Sequence, residues 1–117
     1  MDDVTIWHNP RCSKSRATLA LIEARGIAPR VRLYLQEPPD AAELAEVLRR
    51  LRVAAPGLIR KGEPEYRALG LSGQSDDATL IAAMAAQPKL IERPVVIVGR
   101  RAALGRPPEA VAEILPA

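Results

Sequence analysis

The apolar positions change period along the chain. Val4-Thr5-Ile6-Trp7 is a short β-branched and aromatic run that predicts a buried strand. It stops at the turn signal His8-Asn9-Pro10. From about Ser13 the period lengthens. Ala17, Leu21, Ile22 and Ala24 give a helix that runs to Arg25, and Gly26 is its natural stop. Val31-Arg32-Leu33-Tyr34-Leu35 then alternates apolar with polar, which predicts a second strand and completes a β-α-β unit over residues 4–35.

The middle of the chain reads as helix. Pro38-Pro39-Asp40 opens one, with Asp40 as N-cap and Glu43 as its capping-box partner, and Leu44, Val47, Leu48 and Leu51 supply its apolar face. Another starts near Asp76 or Asp77, carries Leu80, Ile81 and Met84, and ends before Pro88. Between them Leu58-Ile59-Arg60-Lys61 and Tyr66-Arg67-Ala68-Leu69 read as short helical turns split by Gly62 and Pro64. Residues 40–90 are thus expected to be an all-helical insert. Pro94-Val95-Val96-Ile97-Val98 is the strongest strand signal, and Gly99-Arg100-Arg101 connects it to a hairpin partner at Ala102-Ala103-Leu104. Gly105-Arg106-Pro107-Pro108 opens a final helix over 109–115, with proline in its first turn. The order β-α-β, helices, β-β-α is that of an α/β protein with a mixed sheet.

Composition narrows this further. At 117 residues the chain, 1–117, makes a single domain, and 48% hydrophobic with 26% charged residues is the balance of a folded protein. One cysteine excludes an internal disulfide, and one cysteine with one histidine cannot close a four-ligand zinc site, so no metal is expected. The net charge of +3 points to no nucleic acid. The seventeen basic residues are dispersed, and Trp7, Tyr34 and Tyr66 are the only aromatics available for stacking. The opening Met1-Asp2-Asp3 is acidic, no apolar stretch follows it, and no run approaches a membrane span of ~20 residues. These features predict a cytoplasmic protein, without a membrane partner and monomeric.

The single thiol is the candidate centre. Cys12 lies between a strand and a helix, where unpaired N–H groups and the helix dipole favour a thiolate, and Arg11, Lys14 and Arg16 add positive charge. Position 15 is serine, so there is no Cys-x-x-Cys pair to resolve a mixed disulfide. Six residues after Cys12 stands Thr18, where a phosphatase loop needs arginine. No signature supports a Cys–His protease pair with His8. What remains is a thiolate whose second thiol comes from another molecule. His8 either stabilises that thiolate or caps the strand end. Ser15 offers its hydroxyl to the Cys12 sulfur or caps the helix, while Asn9 and Arg16 hold the loop.

The string His8-Asn9-Pro10-Arg11-Cys12-Ser13-Lys14-Ser15-Arg16 resembles the active-site segment of the glutaredoxin-coupled arsenate reductases. The resemblance continues in order through Leu33-Tyr34-Leu35 with Pro38-Pro39, Leu58-Ile59-Arg60-Lys61, Tyr66, Leu69-Gly70-Leu71, Pro88-Lys89-Leu90-Ile91-Glu92-Arg93-Pro94 and Gly105-Arg106-Pro107. It covers essentially the whole chain and is greatest to the compact chromosomal branch of that family. It implies a thioredoxin-like fold with a helical insert, Cys12 as nucleophile, and Arg60, Arg93 and Arg106 as oxyanion-binding residues. It also implies a cis bond between Arg93 and Pro94. The implied reaction reduces arsenate to arsenite, with glutathione as co-substrate, glutaredoxin as partner and no bound cofactor. Guanidinium forks suit a tetrahedral oxyanion, whose charge must be offset before a thiolate can attack it. Two other readings use the same features: a thioredoxin-fold transcription regulator that binds RNA polymerase, and a monothiol redox protein acting on glutathione mixed disulfides.

Overall fold

A computed structural model describes residues 3–116; Met1 and Asp2 of the acidic opening, and Ala117, lie outside the described residues. The chain divides into two compact units, one from its two ends up to Glu37 and from Arg93 onward, the other Pro38–Glu92.

The first unit is built on a four-stranded sheet in the order β2-β1-β3-β4. Its strands are β1 (Val4–Trp7), β2 (Arg30–Arg32), β3 (Val95–Val98) and β4 (Arg101–Leu104). β1 and β2 run parallel, joined through α1 (Ser13–Ala24), while β3 is antiparallel to both β1 and β4. Residues opposite one another in the β1–β3 ladder share a face. The pairs Val4–Val98 and Ile6–Val96 join Ile22 of α1 and Val111, Ile114 and Leu115 of the C-terminal segment in one buried apolar cluster. Trp7 and Val95 pair on the other face and are also buried. Burial on both faces explains why β3 reads as an unbroken valine-isoleucine run rather than an alternating one.

The expected element order is the observed one, with differences at short segments. β2 ends at Arg32 instead of extending to Leu35, because Leu33 turns the chain: its carbonyl accepts from the Gln36 and Glu37 N–H groups at 2.9 Å. The last helix is a 3-10 helix, Pro108–Glu113. Gly26 has φ +77° and closes α1 as expected.

In the second unit α2 (Ala41–Leu51) carries the full capping box. Asp40 accepts from the Glu43 N–H at 2.8 Å, and Glu43 accepts from the Asp40 N–H at 3.2 Å. The short α3 (Pro64–Ala68) starts at a proline, and α4 (Asp77–Ala86) is capped by Asp76. α4 packs against α2, bringing Leu80, Ala83 and Met84 together with the buried Leu44, Val47 and Leu48. One feature departs from the all-helical expectation. Residues 58–61 are not a helical turn: Leu58 closes the preceding turn, Ile59 forms an antiparallel bridge with Ile91, and the chain turns again at Lys61. The helical turns nearby are the 3-10 segments Ala55–Gly57 and Pro88–Leu90.

Glycine is required at one close approach in the sheet unit. The Gly105 N–H donates to the Pro94 carbonyl at 3.0 Å, and a Cβ at 105 would lie 2.6 Å from Pro94 Cγ and collide with the buried Thr18 hydroxyl. Gly105→Ala is expected to destabilise the protein by about 1–3 kcal/mol, the usual cost of overpacking, as measured by urea unfolding.

Candidate active site

Sheet register assembles the site. Trp7 pairs with Val95, and Val95 pairs with Leu104. The residues just beyond these positions therefore meet at one end of the sheet: His8 onward after β1, Arg93 and Pro94 before β3, and Gly105 and Arg106 after β4. The Arg93–Pro94 bond is cis, as expected, and Arg106–Pro107 is cis as well.

The loop after β1 is held by its own polar groups. The Asn9 side-chain oxygen accepts from the Arg11 N–H at 3.0 Å and the Asn9 carbonyl accepts from the Cys12 N–H at 3.0 Å. Arg16 Nη1 reaches back to the Pro10 carbonyl at 2.8 Å. These contacts seat Cys12 as the N-cap of α1, with an extended backbone (φ −97°, ψ 123°), and its carbonyl accepts the first helical bond from Arg16 at 3.0 Å. Ser15 is fully buried. Its hydroxyl accepts from the Asn9 N–H at 3.0 Å and pairs with His8 Nδ1 at 2.6 Å. The hydroxyl thus braces the loop from below, and the sulfur is served instead by the Ser15 backbone N–H.

Opposing influences act on the Cys12 thiol. Burial pushes its pKa up, while hydrogen bonds from the Ser15 N–H, the Arg93 guanidinium and the Lys14 N–H, together with the Arg93 charge, favour the thiolate. The net displacement is downward from the ordinary thiol value. Lys14 and Ser15 are positions N2 and N3 of α1, whose N–H groups have no partner within the helix. His8 is displaced downward too, by burial first and then by the Arg16 charge, partly offset by Glu23. On balance the neutral imidazole is favoured.

The proposed oxyanion residues fall into two sets. The Arg93 guanidinium acts on the Cys12 thiol, and Arg106 Nε donates to the Arg93 carbonyl at 2.9 Å, so Cys12, Arg93 and Arg106 come together with Pro94. Arg60 belongs to the helical unit. There Nη1 donates to Glu92 at 2.7 Å and Nε to Glu63 at 3.2 Å. The two glutamates were not singled out in the sequence, although the Arg60-x-x-Glu63 spacing is a signal that could have marked one of them. Thr18 was also passed over; its hydroxyl donates to the Lys14 carbonyl at 2.8 Å. Among the described residues no cluster of three or more His, Cys, Asp or Glu offers a metal site, and no helix is long and apolar enough to cross a membrane.

With this geometry in hand, the comparisons with known proteins agree on one family. Residues 7–114 match the ArsC family. A relative named arsenate reductase from Neisseria meningitidis serogroup A is 45% identical over 117 residues, covering 98% of this chain and all of that one. An arsenate reductase of Escherichia coli is 41% identical, with 99% of this chain aligned to 83% of its own length. The solved structure of an arsenate reductase from Vibrio cholerae superposes with a TM-score of 0.94 at 48% identity, covering 97% of this chain and 98% of that one.

Two measurements follow from the charges. The rate of Cys12 alkylation by iodoacetamide is expected to fall on acidification with a midpoint below that of the same thiol in the urea-unfolded chain, and Arg93→Ala should move that midpoint upward. His8 has a folded pKa below its ordinary 6.5, so the unfolded chain takes up this proton first as pH falls. Its contribution to stability is complete above that value and is lost progressively below it. Urea unfolding at pH 7.5 and 5.5 should show this decline, and His8→Gln should reduce it.

Proposed function

Since the chain belongs to the ArsC family, we propose that it reduces arsenate to arsenite, with Cys12 as nucleophile and Arg60, Arg93 and Arg106 as the oxyanion-binding residues. The observation that carries this reading is the Arg93 guanidinium brought beside the Cys12 thiol at the head of α1, next to the cis Arg93–Pro94 bond and tied to Arg106 through the Arg93 carbonyl. One cation there both favours the thiolate and can neutralise the anion it attacks.

Cys12 thiolate attacks As(V), forming an S–As bond as the As–O bond to one hydroxyl breaks and hydroxide departs, to be protonated by solvent. Glutathione then supplies the second thiol. Its sulfur attacks the Cys12 sulfur, the S–As electron pair passes to arsenic, and arsenite leaves as As(III). Each sulfur has then lost one electron to the arsenic, leaving a disulfide between Cys12 and glutathione. Glutaredoxin takes the glutathione in a thiol–disulfide exchange and returns the Cys12 thiolate. No bound cofactor takes part. The external thiol is required by composition, because the chain contains one cysteine. Position 15, which would hold the resolving thiol of a Cys-x-x-Cys site, is a serine whose hydroxyl is engaged with His8 and Asn9. That feature also weakens the transcription-regulator reading, which needs a dithiol switch. His8, Asn9, Ser15, Arg16 and Pro94 act as supports of the loop and of the arginine carbonyl.

With glutathione and glutaredoxin present, arsenite production should depend on the intact protein and vanish with Cys12→Ser. Arg93→Ala should lower kcat/KM by about 10²–10³-fold, the usual loss on removing one preorganised donor. No arsenite from the intact protein would exclude the reductase reading. Faster turnover of a glutathione mixed disulfide than of arsenate would favour a monothiol redox protein.

A further inference from the structure

Arg60 is held by two carboxylates. Nη1 donates to Glu92 Oε1 at 2.7 Å and Nε donates to Glu63 Oε1 at 3.2 Å. The three side chains are between 23% and 25% exposed, so neither pair is a freely solvated surface bridge. The backbone enforces the arrangement. Around the Ile59–Ile91 bridge, the Arg60 N–H donates to the Leu90 carbonyl at 2.7 Å and the Glu92 N–H to the Leu58 carbonyl at 2.8 Å. Arg60 thus lies opposite Leu90 and Glu92 opposite Leu58, so Arg60 and Glu92 are diagonal neighbours on one side of the bridge. The turn through Lys61 and Gly62 then brings Glu63 back onto Arg60, just before α3 begins at Pro64.

Two of the three guanidinium nitrogens are thereby committed. Among the described residues no acceptor holds Nη2, so its two N–H groups serve an acceptor from outside, and the plane in which they point is fixed by the other two nitrogens. An arginine left to itself would have to give up side-chain rotamer freedom on binding an anion. Here that freedom is already restricted before any ligand arrives. The arrangement places two negative charges near an anion donor, so the gain must come from orientation rather than from net charge.

We infer that Glu92 and Glu63 are positioning residues for oxyanion binding, orienting Arg60 so that Nη2 is the donor; this rests on the proposed role of Arg60 in arsenate binding. Removing the acceptor frees the guanidinium, whereas Glu92→Gln keeps an acceptor at the same place.

The test is a double-mutant cycle on arsenate binding, read by calorimetry in the non-reacting Cys12→Ser protein. Arg60→Ala and Glu92→Ala should each weaken binding about 10-fold, and the combined variant should bind no more weakly than Arg60→Ala alone. Glu92→Gln should stay within about 3-fold of the parent. In the protein that retains Cys12, Glu92→Ala should raise KM for arsenate about 10-fold with kcat within about 2-fold. If Glu92→Ala fails to fold, Glu63→Ala takes its place in the same cycle with Arg60→Ala. Multiplying losses in the combined variant, or tighter arsenate binding by Glu92→Ala, would overturn the inference while leaving the reductase reading intact. No arsenate binding by the Cys12→Ser protein, together with no turnover by the intact one, would overturn both.

Discussion

The register of the antiparallel ladder is the constraint from which the sheet-unit part of the site follows. Trp7 opposes Val95, and Val95 opposes Leu104. A slip of one residue would turn Val4, Ile6, Val96 and Val98 away from Ile22, Val111 and Leu115, so the apolar cluster fixes the alignment. The same alignment sets Cys12, Arg93 and Arg106 at one end of the sheet. Hydrophobic burial thus specifies the chemistry indirectly, through which backbone positions come abreast.

Electrostatics at the sulfur are a contest between burial and local donors. An apolar setting alone would leave an inert thiol. The outcome reverses because Cys12 occupies the capping position of a helix, where the Lys14 and Ser15 N–H groups have no helical partner of their own, and because Arg93 joins them. Burial of His8 favours its neutral form, so the positive charge at the sulfur is left to Arg93.

Much of this was legible along the chain because the signals are local. The Asp40–Glu43 capping box, the Gly26 stop and the valine run of β3 each depend on neighbours within a few residues, and each appears as expected. The cysteine at a strand-to-helix junction was equally readable. What escaped depends on partners distant in sequence. Residues 58–61 have the composition of a helical turn, but Ile59 and Arg60 are drawn out of it by pairing with residues 90–92. The Ser15 hydroxyl looked destined for the nearby sulfur, yet it is claimed by His8 Nδ1, seven positions earlier. Glu92 carries no local signal of its own, and it is the bridge that places it against Arg60.

The groups gathered around the sulfur come from stretches of chain more than eighty residues apart, with Cys12 near the start and Arg93 and Arg106 near the end. Such non-local contacts form late in folding, after loop closure has been overcome. While the chain is being synthesised, Cys12 emerges from the ribosome long before Arg93 exists. Nascent and partly folded forms therefore carry an ordinary, mostly protonated thiol, slow to react with oxidants. Only when the last strands add to the sheet does the cysteine acquire its full reactivity, so the reagent is armed by completion of the fold.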